Sequence, residues 1–430
     1  MDALQLSAYV ASRRDHLVSL LADLVRTPSE NRAPRGAELA CQQLLAGRLA
    51  RAGCPPHLYE PDSVPGLLAH PLYWPGRDYR QRPNLAATLP GTGGGRSLLL
   101  SGHIDTVPAG SLAWSRPPFA ATVEGNRLYG RGAWDMKAGV AANLFVLEAI
   151  QELGIRLRGD LIFESVVDEE FGGVNGTLAG RVAGYRADAA IVGEPSGLRL
   201  CPAHRGGRTV HLTFTAPNDG ILAPAGASGV IEQLRVFLNE LPAFAALRRR
   251  TAPPHPLFAH LADPVPVTVG RIHTAAWSTD EPPNVPPVCR LELFWQTMPG
   301  ETVAAIDEQF AAWLAGVLDR YPDLFAVPLA VHHPIRWLPG SALPPDALLL
   351  GEFAAAVRAA TGQAPLVQGI EGPCDLFVFP AFGIPALLWG PSGGNAHMPD
   401  EYVEIDSLLA ATTALLQFVC SWCGQADELG

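Results

Sequence analysis

Four short apolar runs, at residues 97–100, 161–167, 189–192 and 386–389, each end within a few residues in acids or a histidine. A run too short for a helix and apolar on both faces reads as a strand buried inside a parallel sheet. The first leads into His103 and Asp105, the second into Asp168, Glu169 and Glu170, the third into Glu194, and the fourth toward His397. Parallel strands share one carboxyl edge, and ligands of open α/β sheets bind beyond that edge. The pattern therefore predicts both an architecture and the place of a site. Residues 138–153, small and apolar, read as a helix between strands and complete an α/β alternation.

The chain has 430 residues, a length suited to two domains. A hydrophobic fraction of 48% excludes a mainly disordered chain. The net charge is -11 and no long basic run occurs, which argues against a nucleic-acid partner. Near the start, Leu17, Leu20, Leu21 and Leu24 recur at helical spacing, and Arg13, Arg14 and Asp15 interrupt any signal-peptide core. No run approaches the roughly 18–20 apolar residues of a membrane span, so the expected compartment is the cytoplasm, with no membrane partner. The seven cysteines read as reduced thiols, Cys420 and Cys423 included.

From 205 to 333 the pattern changes. Strand-like stretches at 209–215, 267–273, 288–295 and 326–331 alternate with helix-like stretches at 229–241 and 302–318. This β-α-β-β-α-β order predicts an inserted ferredoxin-like α+β domain. The expected catalytic, metal-binding domain is then 1–204 with 334–430, and the expected lid and dimerisation domain is 205–333.

Several motifs carry chemistry. His103 and Asp105 lie two apart at a strand end, so their side chains face the same way. Asp135 follows a glycine-rich turn and has two oxygens with which to bridge two metals. Asp168, Glu169 and Glu170 repel one another unless cations are near. Alone, each motif also fits a capped strand end or a solvated acidic loop; together they balance. Against the four positive charges of two divalent ions, Asp135, Glu170 and Glu194 offer three negative charges and a metal-bound hydroxide a fourth; His103 and His397 add neutral nitrogens, and Glu169 is left over as a general base. Such nitrogen and oxygen donors without cysteine suit zinc, with cobalt or manganese as substitutes.

The stretches 101–108, 129–137, 168–172, 193–195 and 390–405, in that order, resemble the M20 metallopeptidase family over nearly the whole chain. The resemblance implies a zinc-peptidase-like catalytic domain with a mostly parallel central sheet. It implies that Asp135 bridges two metals, with His103 and Glu194 completing one site and Glu170 and His397 the other. Glu169 would pass a proton from water to the leaving amine, with Asp105 in support. The implied substrate is a small amide, an N-acyl amino acid or peptide-like molecule, and the implied assembly is a homodimer through the inserted domain.

Two departures stand out. The family's inserted domain usually supplies a histidine to the partner's site, yet no histidine lies between His211 and His255. Residues 217–229 offer only Asn218, Asp219 and Ser228 as polar side chains, and Asn218 is the candidate neutral donor in place of the histidine. After Asn284, Gln296 stands where an arginine often binds a substrate carboxylate. Asn218, Asn284 and Gln296 are thus candidate substrate contacts; Arg205, Arg271 and Arg290 are possible substitutes for the missing arginine, though each reads more simply as an exposed surface arginine. The departures leave open acyl or aminoacyl transfer, or a non-catalytic metal-binding role. A remoter alternative is a serine hydrolase using Ser392, within a Gly-x-Ser-x-Gly pattern whose following residues make a poor helix start.

Overall fold

The computed structural model describes residues 1–216, 229–274 and 285–426. The chain forms two units: Met1–Ala203, Ala342–Ile370 and Cys374–Gly430 make the first, His204–Ser341 with Glu371–Pro373 the second.

The first unit is built on a six-stranded sheet. Its order is Ala386–Leu388, Ala189–Val192, Leu98–His103, Leu161–Val166, Asn84–Leu89 and His57–Tyr59. The first four are mutually parallel, Asn84–Leu89 runs antiparallel to them, and His57–Tyr59 pairs antiparallel with Asn84–Leu89 at the edge. Period-two alternation splits the apolar runs between two cores. Leu98, Leu100, Phe163, Ile191 and Leu387 pack on one face with the main helices, and Leu99, Ile162, Ala190 and Leu388 on the other with Phe379 and Ile384. Each fully buried leucine stabilises the sheet by about 1.5–3 kcal/mol. The 19-residue helix Ile405–Cys423 is apolar enough by length and composition to cross a membrane, but most of it is buried inside this unit. It reads as a core helix.

Two close approaches bring the site together. Helix Lys137–Glu152 lies so near the residues after strand Ala189–Val192 that a Cβ on Gly139 would overlap the Gly193 carbonyl. Gly390 abuts the Glu194 carbonyl in the same way. Only glycine permits such backbone contact, and it sets Asp135, just before the helix, beside Glu194. Lys137, the chain's only lysine, is buried and donates to the Leu24 and Thr27 carbonyls at 2.8 and 2.9 Å. It satisfies the end of helix Arg14–Arg26, where a cation suits the helix dipole.

The second unit has a four-stranded antiparallel sheet in the order Val267–His273, Val288–Thr297, Gly206–Thr215, Ala330–His332. Helices Val230–Thr251 and Val303–Arg320 contribute Phe237, Phe244 and Phe310 to a core with Val210, Leu212, Phe214 and Trp295 from the strands. This is the ferredoxin-like order. The first helix runs past Pro242, where the sequence suggested an end, because Phe244 beyond it is buried edge-on to Trp295 at 5.5 Å. The last strand is shorter and later than 326–331; Pro328 has no N–H to offer a ladder.

Candidate metal centre

His103, Asp135, Glu169, Glu170, Glu194 and His397 converge within the first unit. His103 Nε2 lies 3.4 Å from Asp135 Oδ1, 3.8 Å from Glu194 Oε1 and 4.0 Å from Glu169 Oε2. His397 Nε2 lies 3.3 Å from Asp135 Oδ2 and 3.0 Å from Glu170 Oε2. The two oxygens of Asp135 therefore face two different histidines. The donor atoms of His103, Asp135 and Glu170 fall within 4.8 Å of one another, as do those of Glu169, Glu194 and Asp375. Imidazole and carboxylate donors gathered this closely fit divalent cations.

Backbone groups provide much of the support around these residues. His103 Nδ1 donates to the Asp105 backbone carbonyl at 2.9 Å, which leaves Nε2 free for a metal. The Asp105 carboxylate, 3.7 Å away, does other work. It accepts from the Glu169 and Glu170 amides at 3.2 and 3.1 Å and from Asn31 at 2.8 Å. It holds the acid pair by its backbone, because two N–H groups at the turn need an acceptor.

Nor does Asp168 join its two neighbours. Its carboxylate is fully buried and turned toward Arg77, Arg82, Tyr79 and Asn31. Three adjacent acids are thereby divided between an ion-pair network and the site. Two further residues carry weight that their sequence positions did not reveal. Glu401 accepts from the Gly132, Trp134 and Asp135 amides and from Arg131, at 2.6–3.1 Å, and so fixes the turn that presents Asp135. It lies in the final matching motif, which was its only signal. Asp375 accepts from Thr177 through Oδ2, while its buried Oδ1 has no hydrogen-bond partner among the described residues.

Of the candidate substrate contacts, Asn218 and Asn284 lie outside the described residues. Gln296 sits on strand Val288–Thr297 of the second unit, its Oε1 buried and without a partner among the described residues. Arg205 is buried rather than on the surface, donating to the carbonyls of Asp263, Pro264 and Glu371. Arg271 pairs with Glu292, and Arg290 is exposed. After Ser392 comes the short strand Gly393–Gly394, not the helix a nucleophile elbow requires. Burial pushes the Cys420 and Cys423 thiols up to about 12, which makes them unreactive.

The electrostatics explain why the cluster calls for a cation. Burial pushes Glu169 and Glu194 well above the usual carboxylate range, and Glu170 upward too. Burial also opposes charge on His103, but its hydrogen bond to Asp135 and the nearby carboxylates outweigh this and raise it well above the usual range. His397 is pushed up to about 11, burial again being outweighed by Asp135 and Glu170. Metal-free, the cluster balances its carboxylates with imidazolium protons. Histidine ligates only when neutral, so ion uptake near neutral pH must expel those protons. Since both histidine pKa values are raised, protons compete below them, and affinity should climb as pH rises between about 6 and 8. Calorimetric zinc titrations in buffers of different ionisation enthalpy should show release of about one proton or more per ion. Proton-neutral uptake would remove the histidines from the ligand set.

A donor cluster of this kind at the carboxyl edge of an α/β sheet is that of a metal-dependent hydrolase. Residues 99–421 match the model of peptidase family M20/M25/M40, and the chain belongs to that family. It is a metal-dependent amidohydrolase or carboxypeptidase. It is 29% identical to an N-formyl-4-amino-5-aminomethyl-2-methylpyrimidine deformylase of Halalkalibacterium halodurans, covering 97% of each chain. It is 31% identical to an acetylornithine deacetylase of Klebsiella pneumoniae, over 81% of this chain and 86% of that one. Its fold is similar to that of human carnosine dipeptidase 1, with a TM-score of 0.76 at 16% identity and 98% of each chain covered.

Proposed function

We propose that the protein hydrolyses the amide bond of a small N-acyl amine, using two divalent ions, zinc by the donor set. The observation that carries this is the placing of the two Asp135 oxygens at 3.4 and 3.3 Å from His103 and His397. In this reading Asp135 would be shared between the two ions, with His103 and Glu194 holding one and Glu170 and His397 the other. When bound, the ion pair supplies Lewis acidity toward the carbonyl and makes a water acidic. Glu169 accepts the proton of the attacking water at its carboxylate and delivers it to the leaving nitrogen as the C–N bond breaks. Acid and amine are the products. Asp105 holds the Glu169 and Glu170 amides in place throughout, and Glu401 holds the Asp135 turn. A homodimer through the second unit belongs to the same reading, supported by the edge strand Val267–His273 with its exposed Ile272.

The substrate favoured is one whose amine half bears no carboxylate. Gln296 replaces the arginine that would clamp one, Arg205 and Arg271 are engaged by acceptors of their own unit, which leaves only the exposed Arg290 of the three candidate arginines, and segments 217–228 and 275–284 contain no Lys, Arg or His. The deformylase relative, named for a formamide without a carboxyl group, aligns over 97% of this chain, against 81% for the deacetylase. The test is turnover by zinc-loaded protein on N-formyl- and N-acetylbenzylamine, N-acetyl amino acids and dipeptides. A carboxylate-free amide should be cleaved with kcat/KM about tenfold or more above any N-acetyl amino acid. The reverse preference would sink the carboxylate-free reading, and full metal occupancy with no cleavage at all would sink hydrolysis itself.

A further inference from the structure

We infer that Arg77 is a positioning residue for Glu169, acting through Asp168; this rests on the reading of Glu169 as the general base. Asp168 immediately precedes Glu169 and has φ of 70°, a left-handed conformation that side-chain-bearing residues rarely adopt. Something must hold it there. Its carboxylate receives Arg77 at 2.6 and 2.7 Å, Tyr79 at 2.7 Å, Asn31 at 3.2 Å and Arg82 at 3.3 Å. Three of these donors come from the connection between the third helix, Leu39–Arg51, and strand Asn84–Leu89.

The charges single out Arg77. Arg82 is already matched by Glu38, which it meets through Nε at 2.9 Å and Nη2 at 2.6 Å, both side chains being fully buried. The charge of Asp168 is therefore balanced by Arg77. Arg77 also donates to Asn31 Oδ1, and Asn31 in turn joins Asp168 to Asp105, whose carboxylate receives the Glu169 and Glu170 amides. Its guanidinium lies 5.8 Å from the ring of Phe171, the residue after Glu170. Arg77 thus grips the Glu169–Glu170 turn from both ends without touching either carboxylate. Removing its charge leaves a buried anion beside a cluster of carboxylates, and the turn must shift to relieve it. A displacement near 1 Å at a catalytic group costs about 10²-fold in rate.

The experiment compares zinc-loaded wild type with Arg77→Met, Arg77→Lys, Glu169→Gln and the Arg77→Met/Glu169→Gln double variant, on the fastest amide of the panel above. Arg77→Met should lower kcat by about 10²-fold, with KM within about threefold and zinc content unchanged. Arg77→Lys should regain about tenfold, because it restores the charge though not the fork. In the double variant, Arg77→Met should add less than about twofold to the loss from Glu169→Gln alone. A kcat for Arg77→Met within about threefold of wild type overturns the inference, as does full additivity, or a loss lying wholly in KM or zinc content. Near-normal turnover by Glu169→Gln alone would instead strike down the base assignment, so the two failures are told apart. Should Arg77→Met not fold, Tyr79→Phe removes a single Asp168-bound hydroxyl and should lower kcat about fivefold; an unchanged kcat there overturns the inference equally.

Discussion

Glu169→Gln is expected to keep two ions per chain and the native fold while lowering kcat by about 10²–10⁴-fold. Glu169 is the acid in its run left over for proton transfer: Asp168 is turned into its arginine network, and Glu170 faces His397 at 3.0 Å. Its carboxylate is 4.0 Å from the nearest His103 nitrogen, the longest of the separations around that ring. Glutamine keeps the size and cannot accept and return a proton. The measurement is single-substrate kinetics paired with elemental analysis. Turnover within a few-fold of wild type, at full occupancy, would remove Glu169 from proton transfer.

Asp135→Ala should have the opposite signature. Here the metal goes first, and activity follows. Both Asp135 oxygens are committed, one toward His103 and one toward His397, so its loss breaks both halves of the proposed site at once. The substitution also frees His103 and His397 to sit against Glu194 and Glu170 as unbridged ion pairs. Bound zinc should fall from two ions to fewer than about one per chain at micromolar metal, with turnover down by about 10⁴-fold or more. Two ions retained in this variant would show that another group bridges, and the buried Oδ1 of Asp375, grouped with Glu169 and Glu194, is the first place to look. The two variants therefore separate chemistry from binding: one loses rate with its ions in place, the other loses the ions.

Gln296 is half-buried on its strand with an unused, buried acceptor, whereas an arginine there would bring a charge needing a partner. Asn218 and Asn284 lie outside the described residues, so their part in substrate contact stays with the proposal.

What the sequence alone determined is whatever depends on local pattern. The runs ending at His103, Asp168, Glu194 and near His397 are apolar on both faces, which leaves a buried parallel strand as their stable state. Parallel strands must share an edge, so the convergence of the acids and histidines followed without a single coordinate. The β-α-β-β-α-β order was legible for the same reason: periodicity is a property of neighbours in the chain. Tertiary structure alone decided how the charges pair. Asp168, Glu169 and Glu170 are indistinguishable as letters, and the groups that set Asp168 apart, Arg77, Tyr79 and Arg82, lie 91, 89 and 86 residues away. Glu401 reaches Asp135 across 266 residues, and Arg205 looked like a surface cation until its carbonyl partners were seen. Hydrophobic burial is specified by spacing along one strand or helix. An ion pair is specified by two positions that only the folded chain brings within about 3 Å, and neither position carries a local mark of the other.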